Sequence, residues 1–160
     1  MRREDIDAVT KIAAQVHPHF PEERHVFADK LRLHAGGALL LESAQGPAGY
    51  CFAHPWHSTQ PPALNTLLGA IPLAADALYL HDLALLPEAR GTGAGAAAIK
   101  ILLAKAVSLD LHRLCLVAVN GSIPYWSRHG FLVEDSAALR TKLSSYGSDA
   151  RLMVRPVRLA

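Results

Sequence analysis

The stretch LYLHDLALLPEARGTGAGAAAIKIL, Leu78 to Leu102, decides the fold. An apolar run from Ala77 to Leu86 has the composition of a buried strand, and Pro87 ends it. Three glycines in five residues then open an Ala/Leu/Ile helix expected from Ala94 to Leu109. Gly91, Gly93 and Gly95 lack a Cβ, so their amides can approach a ligand closely. A helix start leaves N–H groups unpaired and carries partial positive charge. Strand, glycine turn and helix together form a site for a phosphate-bearing anion, with the Arg90 guanidinium at its rim.

The same run excludes a triphosphatase loop, which ends in Gly-Lys-Ser/Thr; here the corresponding residues are Gly95-Ala96-Ala97. A dinucleotide fingerprint fits in part, as Gly91-x-Gly93-x-x-Ala96. That fingerprint normally opens the first unit of a longer parallel sheet, whereas this turn follows a hairpin past the middle of the chain. The plain structural alternative is a tight turn capping a helix.

Outward from this segment, the upstream sequence predicts two helices, Arg3–Val16 and Pro21–Leu33. In the first, Ile6, Val9, Ile12, Ala13 and Val16 fall on one face. A hairpin follows, with strands Ala38–Glu42 and Ala48–His54 about the turn Gln45-Gly46-Pro47. The proline-rich connection Pro55–Ala75 is long for a compact domain, which marks a binding loop or lid; a short helix is expected near Leu64–Leu68. Downstream come a strand at His112–Val119, a short helix at Ser122–His129 and strands at Phe131–Glu134 and Ala150–Val157. A polar stretch, Asp135–Asp149, separates the last two. Helices mixed with hairpin-linked strands indicate one domain over residues 1–160, of α/β or α+β class, with a mixed sheet.

The chain has 160 residues, about half of them hydrophobic, and a formal charge of +2. The basic residues are scattered, so no nucleic-acid stripe is present. No apolar stretch resembles a signal peptide or a membrane span, so the expectation is a cytoplasmic protein without membrane or nucleic-acid partners. Cys51 and Cys115 lie in apolar runs and read as buried free thiols. His54-x-x-His57 has metal-like spacing but no obvious third ligand, so no metal is expected.

Arg90-x-x-Gly93-x-Gly95, between a strand and a helix, resembles motif A of the GNAT superfamily of N-acetyltransferases. Asn120 at the end of the next strand, with Tyr125-Trp126-x-x-x-Gly130-Phe131, is similar to the superfamily's motif B. The element order matches over most of the chain. The resemblance implies a single GNAT-like domain with a splayed, mostly antiparallel mixed sheet flanked by helices on both faces, and acetyl-CoA as co-substrate. The amides of Arg90, Gly91, Thr92, Gly93, Ala94 and Gly95 would hold the pyrophosphate. Backbone at Leu83, Ala84 and Leu85 would pair with the pantetheine arm, which Asn120 and Trp126 would also touch. The acceptor implied is a primary amine of a small molecule or peptide, on a monomer or homodimer. The superfamily's usual tyrosine, a proton donor to the thiolate, is replaced by Trp126, whose indole N–H cannot deliver a proton. Tyr125 is adjacent. The superfamily usually starts with a strand before its first helix, which Met1 to Arg3 barely allows. A non-catalytic acyl-CoA-binding module is the rival reading.

For acid–base work the leading candidate is His81, because an imidazole titrates near neutrality. Strict alternation would place Tyr79, His81, Leu83 and Leu85 on one strand face and Asp82 on the other. Tyr79 and Tyr125 are further catalytic candidates. His54, Trp56 and Tyr146 are candidates for the amine pocket, with Trp56 offering a ring to a cation.

Overall fold

The structure, a computed structural model, describes residues 1–134 and 136–157. The expected domain, residues 1–160, thus includes residues 135 and 158–160, which lie outside the described residues. Helices α1 (Ile6–Val16) and α2 (Arg24–Leu33) precede the antiparallel strands β1 (Ala38–Ser43) and β2 (Gly46–Trp56). Strand β3 (Ala77–Leu85) leads through the glycine turn into α3 (Ala94–Ser108). Strand β4 (Arg113–Ala118), α4 (Ile123–Arg128), β5 (Leu132–Glu134), α5 (Ala137–Lys142) and β6 (Arg151–Pro156) complete the order. They build one six-stranded sheet, β1-β2-β3-β4-β6-β5. Only β3 and β4 run parallel; the other four pairings are antiparallel.

Two layers of side chains cover the sheet. Ile6, Val9, Ile12 and Phe27 of α1 and α2 pack against Tyr50, Phe52 and Ala84. On the opposite face Ile99, Leu102 and Ala106 of α3 pack against Cys51, Ala53, Leu78, Leu80, Leu114 and Leu116. This double cover explains why Ala48 to His54 is buried at every position instead of alternating. Lys30 is the exception among the buried α2 residues. Its Nζ meets Glu22 Oε2 at 2.5 Å, and both side chains are nearly excluded from solvent.

Three expectations change. Residues 57–76 hold no helix, so the one expected near Leu64–Leu68 is absent. The polar stretch 135–149 instead contains α5 and a 3-10 turn, Leu143–Tyr146. The third change lies inside β3. Phe52 pairs with Asp82, but Ala53 pairs with Leu80, so His81 is an extra residue opposite β2. Such a bulge breaks the alternation of faces. Leu78, Leu80 and Leu83 therefore face α3, while Tyr79 and Ala84 pack on the other face. Tyr79, His81, Leu83 and Leu85 do not share a face.

Candidate active site

Strands β3 and β4 pair only from Leu78 to Leu80 against Leu114 to Leu116. Beyond this point they separate, and a cleft of about 830 Å³ opens between them. Its walls include Leu83 and Leu85 on one side and Val117, Val119 and Asn120 on the other. Asn120 holds a left-handed backbone at φ 52°, a conformation asparagine tolerates better than most residues.

The glycine turn forms one end of the cleft. Gly91 and Gly93 have φ of 76° and 88°, where a Cβ would be strained. Gly95 is needed for space instead: a Cβ there would lie 2.2 Å from the Tyr125 hydroxyl oxygen. The Thr92 hydroxyl donates to the Ala89 carbonyl at 2.8 Å, tying the turn closed. Gly93 caps α3, and the first intrahelical bond runs from Ala97 N–H to its carbonyl. Among the amides of this first turn, Ala94 N–H donates to the Thr92 hydroxyl oxygen at 3.4 Å, and none has an acceptor within the helix. Arg90 Nε is held on the Leu85 carbonyl at 3.1 Å, which fixes its guanidinium at the rim. Arg90, Arg128 and His129 all line this end. Glycine backbone, a helix N-terminus and basic side chains fit the phosphates of coenzyme A, and the narrow gap beside Leu83 and Leu85 fits its arm.

Tyr125 and Trp126 both line the cleft. Trp126 packs edge-on against Phe131, with ring centroids 5.5 Å apart. Tyr125 leans on His129 and places its hydroxyl against Gly95. Burial raises its pKa, so the phenol is neutral near pH 7.

At the opposite end the bulge brings His81 and Asp82 together on the cleft and on a smaller chamber behind it. Asp82 accepts a hydrogen bond from the Tyr50 hydroxyl. His17, at the end of α1, brings Nε2 within 3.0 Å of Asp82 Oδ1. For His17, burial depresses the pKa, but the close Asp82 carboxylate and the charge of Glu22 outweigh it and raise it overall. His81 shows the reverse: burial and the neighbouring Lys30 and His54 hold it well below 6.5, so it is neutral. Its Nε2 is buried without a hydrogen-bond partner.

The remaining candidates sit elsewhere. His54 belongs to β2, is fully buried and bonds through Nε2 to the Lys30 carbonyl at 2.7 Å. Its ring backs His81 edge-on at 4.7 Å and does not line the cleft. Trp56 also ends β2, where Nε1 donates to the Gln60 carbonyl. It packs, partly buried, against the core cluster that contains Tyr79, with its ring 6.4 Å from that of His81, and does not line the cleft. Tyr79 is buried in the same cluster, and burial raises its pKa far above 10. Tyr146 borders the small chamber and donates to the Pro62 carbonyl. Ala84 turns its side chain toward α1 and can offer only backbone. The sequence reading missed His17 and Glu22, whose only local signals were a helix stop and a helix start. Among the described residues no group of three His, Cys, Asp or Glu is placed to hold a metal ion. No helix among them is long and apolar enough to cross a membrane.

Comparison with known proteins agrees with this geometry. Residues 6–131 match the acetyltransferase (GNAT) family. No curated protein sequence matches the chain significantly. The loading GNATL domain of CurA from Lyngbya majuscula superposes with a TM-score of 0.80 at 11% identity, covering 98% of this chain and 95% of that one. The GphF GNAT-like decarboxylase, solved with isobutyryl-CoA, gives 0.78 at 16% identity, with 99% and 97% covered. The ribosomal-protein-S18-alanine N-acetyltransferase of Escherichia coli gives 0.66 at 17%, with 100% and 92% covered.

Proposed function

The chain belongs to the GNAT acetyltransferase family, and from that premise we propose that it moves an acetyl group from acetyl-CoA to a primary amine by direct attack. The observation that carries this reading is the splayed β3–β4 gap, with an anion cradle at one end and His81 at the other.

Bound acetyl-CoA supplies an acyl group as a thioester, whose carbon–sulfur bond is exchanged for a carbon–nitrogen bond to the acceptor. The amides of Gly93, Ala94 and Gly95 and the Arg90 guanidinium hold the phosphates. The backbone of Leu83 to Leu85 and the Asn120 side align the arm. Alignment of two reactants is itself a large part of such catalysis, up to ~7–11 kcal/mol. The His81 imidazole takes the proton from the amine nitrogen. A neutral imidazole of low basicity suffices there, because the nitrogen becomes strongly acidic as it gains its fourth bond. Tyr125 sets its hydroxyl on Gly95, at the phosphate end of the gap, so it is not placed to protonate the sulfur, and the sulfur leaves as the thiolate. Tyr79 and His54 act behind His81 as packing, not at the reacting atoms.

Thiol release from acetyl-CoA with a panel of amines tests the reaction. His81→Ala is expected to lower kcat at least tenfold while coenzyme A binds with unchanged Kd by calorimetry. Unchanged kcat removes His81 from the mechanism. Tight coenzyme A binding with no thiol release for any amine supports the rival reading, a non-catalytic acyl-CoA-binding module. The decarboxylase among the fold neighbours shows why binding alone does not settle the chemistry.

A further inference from the structure

The chamber behind His81 and Asp82 has a size, a charge pattern and a roof that together select an acceptor. Its volume is about 70 Å³, and it opens into the main cleft, with which it shares His17, His81, Asp82, Val117 and Val119. Phe20, Phe27 and Leu64 give it apolar walls. Its polar lining comprises His17, Glu22, His81, Asp82 and Tyr146.

Charge sorts the candidates. No Lys or Arg lines the chamber. The ammonium of Lys30 lies on Glu22, and His17 lies on Asp82, so both nearby cations are already engaged by carboxylates. An acceptor bearing its own carboxylate would meet Glu22 and Asp82 with no cation to receive it, a costly arrangement in a partly buried site. An amine instead finds acceptors in the remaining carboxylate lone pairs and in the imidazole of His81, which lines the chamber.

The roof excludes a polypeptide. The connection between β2 and β3 is strapped across this side of the molecule at both ends. On the α2 side, Asn65 Oδ1 accepts from Glu23 N–H at 2.8 Å, and Asp29 Oδ2 accepts from Leu68 N–H at 2.9 Å. On the α5 side, Tyr146 donates to the Pro62 carbonyl and Lys142 to the Thr59 carbonyl. Leu64 hangs from this strap into the chamber. A groove for an extended chain is therefore not available without breaking the strap.

We propose that the acceptor is a compact, carboxylate-free primary amine with an apolar body, seated in this chamber with its nitrogen at the His81–Asp82 corner. A site needs ~10–15 Å³ of such volume per water-sized group, so the chamber takes about five heavy atoms. The assignment rests on the acyltransfer reading above for its chemistry, but not for its binding site.

The test compares isobutylamine with valine, which is the same amine bearing a carboxylate, and with the tripeptide Val-Ala-Ala. Thiol release and product mass are read at one acetyl-CoA concentration. Isobutylamine is expected to show kcat/KM at least tenfold above both. Equal or better turnover of valine or the tripeptide overturns the proposal. Leu64→Ala enlarges the chamber, so hexylamine should gain about tenfold relative to isobutylamine; an unchanged ratio also overturns it. If no amine releases thiol, the acyltransfer reading falls, and calorimetry on the protein loaded with coenzyme A decides the chamber alone. Binding of isobutylamine without binding of valine then supports the subsite, and absent or equal binding rejects it.

Discussion

Replacing Gly95 by alanine isolates the contact on which the cofactor cradle depends. A Cβ at this position would lie 2.2 Å from the Tyr125 hydroxyl oxygen and 3.4 Å from the ring carbon bearing it. Two opposing effects follow. Alanine inside a helix gains up to ~1 kcal/mol over glycine. Forcing a methyl into occupied space costs ~1–3 kcal/mol. The single variant should therefore range from near-neutral to ~2 kcal/mol less stable. Tyr125→Phe removes the clashing oxygen and leaves only the ordinary 3.4 Å contact. In that background Gly95→Ala should be neutral or stabilising. The four proteins of the cycle, unfolded in urea at one pH without coenzyme A, should thus show a coupling of ~1–3 kcal/mol. For a chain of this size each kcal/mol moves Tm by ~2–4 °C, so melting curves give an independent reading. Additivity within ~0.5 kcal/mol would refute the reasoning. It would mean that Tyr125 is free to swing from its edge contacts with Trp126 and His129, at 5.0 and 4.7 Å, and does not hold its hydroxyl on α3.

Two further outcomes follow from the charged groups. The His17–Asp82 pair, facing Glu22 and Arg90, gives His17 a folded pKa above 6.5. Its stabilisation is complete below the unfolded value and is lost as pH rises through the folded one, so stability should fall above pH 6.5. His17→Gln should remove that slope in urea titrations across this range, and an unchanged slope would assign it to another group. The buried Lys30–Glu22 pair should be costly to break from one side. Lys30→Met leaves an unpaired carboxylate at ~3–5 kcal/mol, while Lys30→Met with Glu22→Leu should recover most of the loss. Equal melting temperatures for the single and double variants would contradict this.

The glycine turn was legible because its requirements are local. Gly91 and Gly93 sit at positive φ, and α3 begins where the glycines end. Core strands were legible from apolar runs bounded by turn residues. The acceptor side was not, because its parts meet only through tertiary contacts. His17 looked like the end of a helix and Glu22 like the start of the next, and nothing near either names Asp82. Helix α5 was hidden in a polar stretch, because its AALRTK segment is only 6 residues long and has no apolar period to read. Its one local signal is the cap, where Ser136 Oγ accepts from Leu139 N–H at 3.2 Å. The strap over the chamber likewise depends on single long-range bonds, such as Tyr146 to Pro62.

The bulge at His81 ties these observations to the chemistry. With regular alternation, His81 and Asp82 would face opposite sides of the sheet, and only one could reach the acceptor. The extra residue in β3 sets both on the cleft. It also ends regular pairing at the level where β3 leaves β4, since the parallel register stops at Leu80. One inserted residue therefore coincides with both the opening of the gap and the clustering of polar groups at its end. Bulges recur beside active sites because they re-aim side chains at the cost of a local ladder bond. In this chain the re-aimed pair differs in its surroundings: Asp82 accepts from the Tyr50 hydroxyl and faces His17 at 3.0 Å, while burial and the neighbouring Lys30 and His54 keep His81 neutral. Strict two-residue periodicity would have split this pair between the two faces of the sheet.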